Sequence, residues 1–306
     1  MKKVLTALAV TGFISGSACA QNFGISGSLE MALKTTAAGV TSIGASKSDR
    51  SFLNFTANED LGNGLSVDML LQARFLSDTG AFNNTSSTSL TTTEAFEQTR
   101  MGLASKQFGS VRMGRFTNAI AASETPWLFQ QDSPFGTSHT TQYSRLSGQR
   151  EYSTPEFMGF KYSWLRADAA ANKYISFVSG NGTLTTTDIS SGARDLTSHV
   201  ISYEKGPFVA SWATVSGFAG ESSKRYGGAV DLTSFGVSGL KLAAGRFNQE
   251  QTWQLQTPHV NTYVGAEYKI GNWTTAVTAS VADNNTSSTT GKVGKNGVKE
   301  IGRAHV

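Results

Sequence analysis

The feature of this chain that most constrains its fold is a set of long segments in which apolar and polar residues alternate. In Asn22–Lys34 the odd positions are mostly apolar and the even positions mostly small or polar, and Leu65–Leu76 repeats the pattern. A period of two places successive side chains on opposite faces of a β-strand. Both runs are longer than the about five or six residues typical of soluble strands. They fit a tilted strand that crosses a bilayer, which needs roughly 9–11 residues.

Eleven further segments show strand-like alternation, which brings the expected number of strands to about 13. They are Arg50–Asn58, Phe96–Ser105, Ser110–Arg115, Tyr143–Ser153, Phe160–Arg166, His199–Glu204, Phe208–Val215, Arg225–Leu232, Leu240–Arg246, Val260–Tyr268 and Trp273–Val281. Short turns between them alternate with four long polar loops: Ser77–Ala95, Thr117–Gln142, Ala167–Ser198 and Ala282–Val298. The sequence therefore predicts an all-β fold, a transmembrane antiparallel β-barrel with turns at one end and loops at the other. A soluble two-sheet sandwich is the alternative, and it would favour shorter strands.

The composition agrees with this fold class. Charged residues make up only 16% of the chain, whereas Ser, Thr and the 32 glycines are abundant. Such a chain is poor in strong helix formers, which argues against helix bundles and coiled coils. The part that follows residue 20 contains no run of 18 apolar residues, so the sequence predicts no membrane-spanning helix there.

The N-terminal 20 residues have the pattern of a secretory signal peptide. Met1–Lys3 is basic, Val4–Ile14 is mostly apolar, and Ala18–Ala20 is a small-x-small cleavage site. We expect export through the Sec pathway and a barrel domain over residues 21–306. Lipoprotein processing at Cys19 is an alternative, although Gly16 stands where a leucine-like residue is usual. Cleavage removes the single cysteine and two of the lysines, so the formal net charge falls from +4 to +2.

Several classes of function are disfavoured by what the chain contains. A weak positive charge without a lysine or arginine run does not suit a nucleic-acid binder. The four histidines are scattered singly, without the spacing of metal ligands. Phosphate-binding and zinc-protease motifs are missing from the sequence. We therefore predict a protein without catalytic residues, metal or cofactor, and leave open a barrel enzyme that uses a serine–histidine pair.

Five sequence pieces resemble the general-diffusion trimeric porins of Gram-negative outer membranes, especially the betaproteobacterial branch. They are Glu59–Leu65, Met101–Leu103, Phe108–Arg115, Asp132–Gly136 and Tyr152–Phe160, and the resemblance covers nearly the whole mature chain. It implies sixteen strands, a homotrimer surrounded by outer-membrane lipid and lipopolysaccharide, and a third loop folded into each lumen. It also implies a water-filled channel for the passive diffusion of small hydrophilic solutes and ions.

The resemblance, combined with strand parity, suggests the residues that line the pore. Its constriction would set Glu124 and Asp132 of the third loop against Arg50, Arg100 and Arg145 of the wall. The other residues predicted to face the lumen are Arg74, Arg112 and Lys161. Since basic residues outnumber acidic ones here, we expect a preference for anions. A substrate-specific channel, or a barrel whose loops act as an adhesin or phage receptor, is the alternative.

Three places depart from the family pattern. Phe96–Met101 aligns poorly, which leaves open whether Glu97 takes the usual position of an arginine. Arg150 has the parity of a lipid-facing residue, so it is either a rim residue or follows a bulge. Finally, Glu300–Val306 shows no alternation and lacks the family's terminal aromatic residue. We expect the barrel to be incomplete at its C-terminus, with residues 300–306 a translated sequencing adaptor.

Overall fold

A computed structural model describes residues 22–29, 32–35, 41–44, 51–75, 96–129, 145–169, 173–177, 184–188, 195–217, 222–249, 259–271, 273–284 and 295–305. The strands are β1 Asn22–Ser28, β2 Ala32–Thr35, β3 Thr41–Gly44, β4 Phe52–Gly62, β5 Leu65–Arg74, β6 Phe96–Ser105, β7 Gly109–Arg115, β8 Gln149–Ser153, β9 Phe160–Ala167, β10 Lys173–Phe177, β11 Leu184–Asp188, β12 Leu196–Lys205, β13 Phe208–Ser216, β14 Ser222–Asp231, β15 Leu240–Gln249, β16 His259–Ile270, β17 Trp273–Asn284 and β18 Lys295–His305. One α-helix, α1 (Ala119–Glu124), lies between β7 and β8, and a 3₁₀ turn, Leu232–Phe235, lies between β14 and β15. Among the described residues, no helix is long and apolar enough to cross a membrane.

Fourteen of the strands form one sheet in which each strand hydrogen-bonds to the next sheet strand along the chain. All described pairs are antiparallel. The other four strands form two small hairpins, β2–β3 and β10–β11, within the connections that follow β1 and β9. Strictly sequential antiparallel pairing puts consecutive connections at opposite ends of the sheet, as the sequence predicted.

The structure corrects two of the predicted strand boundaries. The first alternating run does not continue to Lys34, because pairing of β1 with β4 ends at Ser28 and Ala32–Thr35 belongs to a separate hairpin. The last segment, expected to be irregular, forms β18 and pairs with β17. A strand edge offers backbone donors and acceptors to any segment, so this pairing does not require side-chain alternation.

Glycine fixes the geometry of the short turns. The turn between β4 and β5 runs through Gly62, Asn63 and Gly64 at φ of +82°, +52° and +75°. Left-handed conformations of this kind are accessible to glycine at little cost and to asparagine more readily than to most residues. Gly109, at φ +87°, has a further constraint, since a Cβ there would lie 2.0 Å from the Ser153 carbonyl oxygen.

The two faces of the sheet differ in polarity. One, the outer face, carries apolar side chains that are exposed, among them Met101, Met113 and Trp212. The inner face carries buried polar side chains such as Gln98 and Ser211, and α1 packs against it. An apolar exposed face with a polar interior is the reverse of a soluble protein and the arrangement expected of a strand sheet in lipid.

Candidate functional site

The connection between β7 and β8 begins by bonding to the inner face of the sheet. The Thr117 backbone N–H donates to Gln98 Oε1 at 2.8 Å, and Asn118 Nδ2 donates to Gln149 Oε1 at 2.8 Å. The Ala119 N–H donates to Glu151 Oε2 at 2.6 Å. Asn118 also caps α1 by accepting from the Ala121 N–H. These bonds satisfy polar groups that would otherwise be buried without partners, so they fix where the segment leaves the wall.

The helix α1 is held against the wall by apolar contacts. Ile120 is fully buried and belongs to a cluster with Leu165, Val200 and Val215 on the inner faces of β9, β12 and β13. Burying a side chain of this size is worth about 1.5–3 kcal/mol. The short helix therefore rests on a patch of the inner face that is apolar, in contrast to the polar rows around it.

A buried ion pair follows at the end of α1. Glu124 Oε1 lies 3.2 Å from Nη1 of Arg225 on β14, and their side chains are 1% and 4% exposed. Burial raises the pKa of the Glu124 carboxyl, and the charge and hydrogen bonds of Arg225 act in the opposite direction. Losing either partner would leave the other charge buried alone, at a cost of about 3–5 kcal/mol.

Two aromatic residues complete the attachment of this segment. The Trp127 Nε1–H donates to Ser211 Oγ at 2.8 Å, and the Phe129 backbone N–H donates to the Tyr263 hydroxyl at 2.8 Å. The Trp127 ring is fully buried and stacks on Phe247, with 5.6 Å between ring centroids. The segment that starts on β6 and β8 thus reaches β16, and residues 116–129 cross the inner face of the sheet.

Three arginines surround Glu97 near the start of this segment. A β-bulge interrupts the β5–β6 register between Gln72 and Ala73, so Glu97 has no cross-strand partner. Its Oε1 lies 3.2 Å from Nη1 of Arg74 and 3.4 Å from Nη1 of Arg145. Arg115 donates from Nε to the Glu97 backbone oxygen at 3.1 Å. We call Arg74, Arg115, Arg145 and Glu97 the arginine cluster; its formal charge is +2, from three arginines and one carboxylate.

The arginine cluster is not saturated by its own contacts. Glu97 Oε2 and the Nε atoms of Arg74 and Arg145 are buried and have no hydrogen-bond partner among the described residues. Burial lowers the pKa of the Arg145 guanidinium, Glu97 raises it, and Arg74 and Arg115 lower it further. An arginine nevertheless stays charged at any working pH. The cluster therefore keeps its positive charge, and the side chains of Arg74 and Arg145 remain 18% and 32% exposed.

Other predicted wall residues are present on the inner face but neutralised by partners. Arg100 Nη2 lies 2.5 Å from Asp68 Oδ2, and Arg112 forms an ion pair with buried Glu151. Each pair contributes no net charge to the lumen. Lys161 lies on the inner face beside a cavity below α1.

The structure gives Glu124 a different place from the one expected. It does not face the arginines across the lumen, because the ion pair with Arg225 holds it against the opposite wall. Arg50 and Asp132 lie outside the described residues. Arg150 is on the outer face without a bulge, opposite Arg166 in the register and paired with Asp168.

Sequence reasoning missed part of this site. The sequence assigns no pore role to Arg115 or Arg225, although both belong to predicted strands. The burial of Arg225 depends on Glu124, 101 positions earlier. The poor alignment of Phe96–Met101 was a usable signal, since the bulge lies there and turns Glu97 inward. Bulges often redirect a side chain at a functional position.

An antiparallel sheet with an apolar outer face, a polar inner face and a connection folded across that inner face is the arrangement expected of a membrane β-barrel channel. Comparison with known families agrees, since the family described as Gram-negative porin matches residues 5–300. The chain belongs to the Gram-negative porin family. It has the porin transmembrane β-barrel fold, and its place is the outer membrane.

Solved porins share this fold at low sequence identity. The anion-selective porin from Comamonas acidovorans has a TM-score of 0.57 and 16% identity, over 86% of this chain and 80% of that one. Salmonella typhi OmpF, in complex with daunomycin, has a TM-score of 0.58 and 15% identity, over 89% of this chain and 80% of that one. A triple mutant of the Rh. blastica porin has a TM-score of 0.57 and 11% identity, over 87% of this chain and 86% of that one. No curated protein matches the sequence.

Proposed function

We propose that this porin is a passive diffusion channel that prefers small anions. The observation that carries the proposal is the arginine cluster, in which Arg74 and Arg145 share the Glu97 carboxylate and Arg115 donates to the Glu97 backbone oxygen. Selectivity in a wide aqueous pore is set by charges near its narrowest part. Low-dielectric walls focus the field of such charges, so a formal +2 there matters more than the weak charge of the whole chain.

Three carboxylates on the wall or on α1 do not offset this field, because each has an arginine partner. Glu124 is neutralised by Arg225, Asp68 by Arg100 and Glu151 by Arg112. Arg50 and Asp132 carry opposite charges and would compensate each other if both reach the constriction. The name of the anion-selective Comamonas porin supports the proposal by analogy of fold. Arginine also suits transient binding of carboxylates and phosphates, because its planar group can donate two parallel hydrogen bonds.

The reversal potential across a KCl gradient in a planar bilayer tests the proposal. We expect the protein to give an anion-directed potential and Arg74→Gln/Arg145→Gln to shift it toward potassium. Glu97→Gln should shift it in the opposite direction. The matched control is Arg150→Gln, which removes an arginine from the outer face. The shift should be larger at 0.1 M salt, where the screening length is about 10 Å, than at 1 M, where it is about 3 Å.

Two results would contradict the proposal. A potassium-directed potential in the unmodified protein would exclude anion preference. An unchanged potential in the double variant at low salt would mean that the arginine cluster does not control selectivity. A substitution of Arg50, Arg100 and Arg145 to Ala tests the wider set predicted from the sequence.

We further propose that residues 1–20 direct export through the Sec pathway and that the mature protein forms a homotrimer among lipid and lipopolysaccharide. Support comes from the sequence pattern of the leader and from the apolar outer face, which needs lipid or another subunit to cover it. Intact-mass measurement of protein from outer membranes checks the cleavage before Gln21. Light scattering in detergent distinguishes a trimer from a monomer.

A further inference from the structure

A cavity of about 200 Å³ lies between α1 and the inner face of the sheet. The loop side is formed by small residues, Ala119, Ala122 and Ser123, and the wall side by β8, β9, β12 and β13. Glu156 and Gly159 of the turn between β8 and β9 also line it, so it lies toward the turn end of the pore. The volume exceeds what a single bound water needs and is suited to a solute of a few heavy atoms.

The cavity differs from the arginine cluster in its charges. Lys161, Glu156 and Glu204 line it, and all three side chains are exposed. Lys161 is opposite Ser202 in the β9–β12 register, and Glu204 lies two residues further along the same face of β12. Diagonal neighbours of this kind are about 7–8 Å apart, within reach of long side chains. The Glu204 backbone N–H donates to the Gly159 carbonyl at 2.8 Å, which fixes the turn next to it.

Ion pairs with other described residues do not neutralise these three charged groups. In the part of the chain that the structure describes, Lys161, Glu156 and Glu204 have no ion-pair partner. Arg112 also lines the cavity, but Glu151 neutralises it. The result is one ammonium and two carboxylates on the walls of one cavity.

We propose that this cavity is a second solute subsite, which takes small dipolar solutes that carry both an ammonium group and a carboxylate, such as free amino acids. The inference rests on the proposed channel function. A primary ammonium has three donors, which the carboxylates of Glu204 and Glu156 can accept. The carboxylate of the same solute would pair with Lys161. Both charges of a dipolar solute then have a partner, whereas an uncharged solute of equal size leaves the charged walls in water.

With the subsite and the arginine cluster together, the charge of the pore wall changes along the pore axis. The arginine cluster lies at the loop ends of β5 to β7, and the cavity lies toward the turns. An inorganic anion is attracted by the first and not by the second, where carboxylates outnumber the ammonium. A dipolar solute is attracted by both. The cavity is open to the lumen, so we expect brief occupancy that allows release.

The experiment uses glycine and its uncharged isomer glycolamide as probes on single channels of the purified protein. Each probe is added on the turn side, and the concentration that halves the potassium chloride current is measured at pH 7. We expect glycine to act at a concentration at least fivefold lower than glycolamide. Glu204→Gln and Lys161→Gln should each remove most of this difference. Glu267→Gln is the matched control, because its carboxylate is on the inner face near the turns but is paired with Lys241 outside the cavity.

The outcomes separate this inference from the proposed channel function. Equal effects of glycine and glycolamide would overturn the subsite, and so would a glycine effect that survives both Glu204→Gln and Lys161→Gln. Loss of the glycine effect in Glu267→Gln would mean that the general field of the wall is responsible, which also overturns it. Stepwise conductance in every variant shows that the channel has folded. Lack of conductance in the unmodified protein would instead refute the channel function.

Discussion

The attachment of Trp127 to the wall leads to a testable prediction about the width of the pore. Its ring lies over Gly227 of β14 and Gly245 of β15. A Cβ added at Gly245 would be 2.2 Å from Trp127 Cζ3, and one at Gly227 would be 2.6 Å from it. Gly245→Ala therefore cannot be accommodated without moving the ring or the strand. The strand is bonded on both sides, so the ring should move.

The size of the effect follows from what the ring would lose. Overpacking of this kind typically costs about 1–3 kcal/mol. Full loss of a buried tryptophan costs about 3–5 kcal/mol. The hydrogen bond from Trp127 to Ser211 and the stacking on Phe247 leave the ring little freedom to adjust in place. We expect Gly245→Ala to release the end of the segment 116–129 while the sheet stays intact.

Single-channel conductance and the uptake of sugars of increasing size into liposomes measure this release. Gly245→Ala and Trp127→Ala should both raise the conductance and the size limit. The matched control is Ala244→Val, which adds bulk one residue away on the exposed outer face. Combining Gly245→Ala with Trp127→Ala should add little to the single variants, because both remove one contact. Unchanged conductance in both single variants would refute the claim that this contact positions the loop.

Three further predictions concern the rest of the barrel. Val67, which is opposite Leu103 on the outer face, should not tolerate Val67→Arg: near the membrane midplane we expect a loss of about 2–4 kcal/mol in unfolding free energy, measured by urea titration in vesicles. Arg225→Leu should release the helix, because it leaves the Glu124 carboxylate buried alone at a cost of about 3–5 kcal/mol, whereas Glu124→Gln/Arg225→Met should restore much of the wild-type conductance. Hydrogen bonds from the Ala169 N–H and from Arg166 lower the pKa of Asp195 below its ordinary 3.8. The ionised Asp195 therefore stabilises the loop above pH 3.8, and this stabilisation is lost as the pH falls through the lowered pKa. Pepsin cleavage near Ala169 should therefore increase only below about pH 3.8 and should occur at higher pH in Asp195→Asn.

The alternation of the sequence was enough to predict the strands of the large sheet other than β18, and the two faces of that sheet. Side-chain direction in a strand depends only on the local backbone, so parity placed Arg74 and Arg112 on the inner face and Arg150 on the outer face, where the structure has them. Long alternating runs, together with the lack of an 18-residue apolar run after residue 20, predicted the membrane barrel, because these patterns are also local. The outer-membrane class therefore followed from local information, and the resemblance added the family.

The contacts of the constriction were decided by the tertiary structure alone. Glu124 was expected to face the lumen, but its partner Arg225 is 101 positions away and no local pattern links the two. The bulge that turns Glu97 inward is a property of two paired strands, and the strand formed by Lys295–His305 depends on the edge offered by β17. Strand parity assigns a side chain to a face, whereas the charge of the pore depends on which side chains meet across that face. Those side-chain contacts form only when distant segments of the chain pack together.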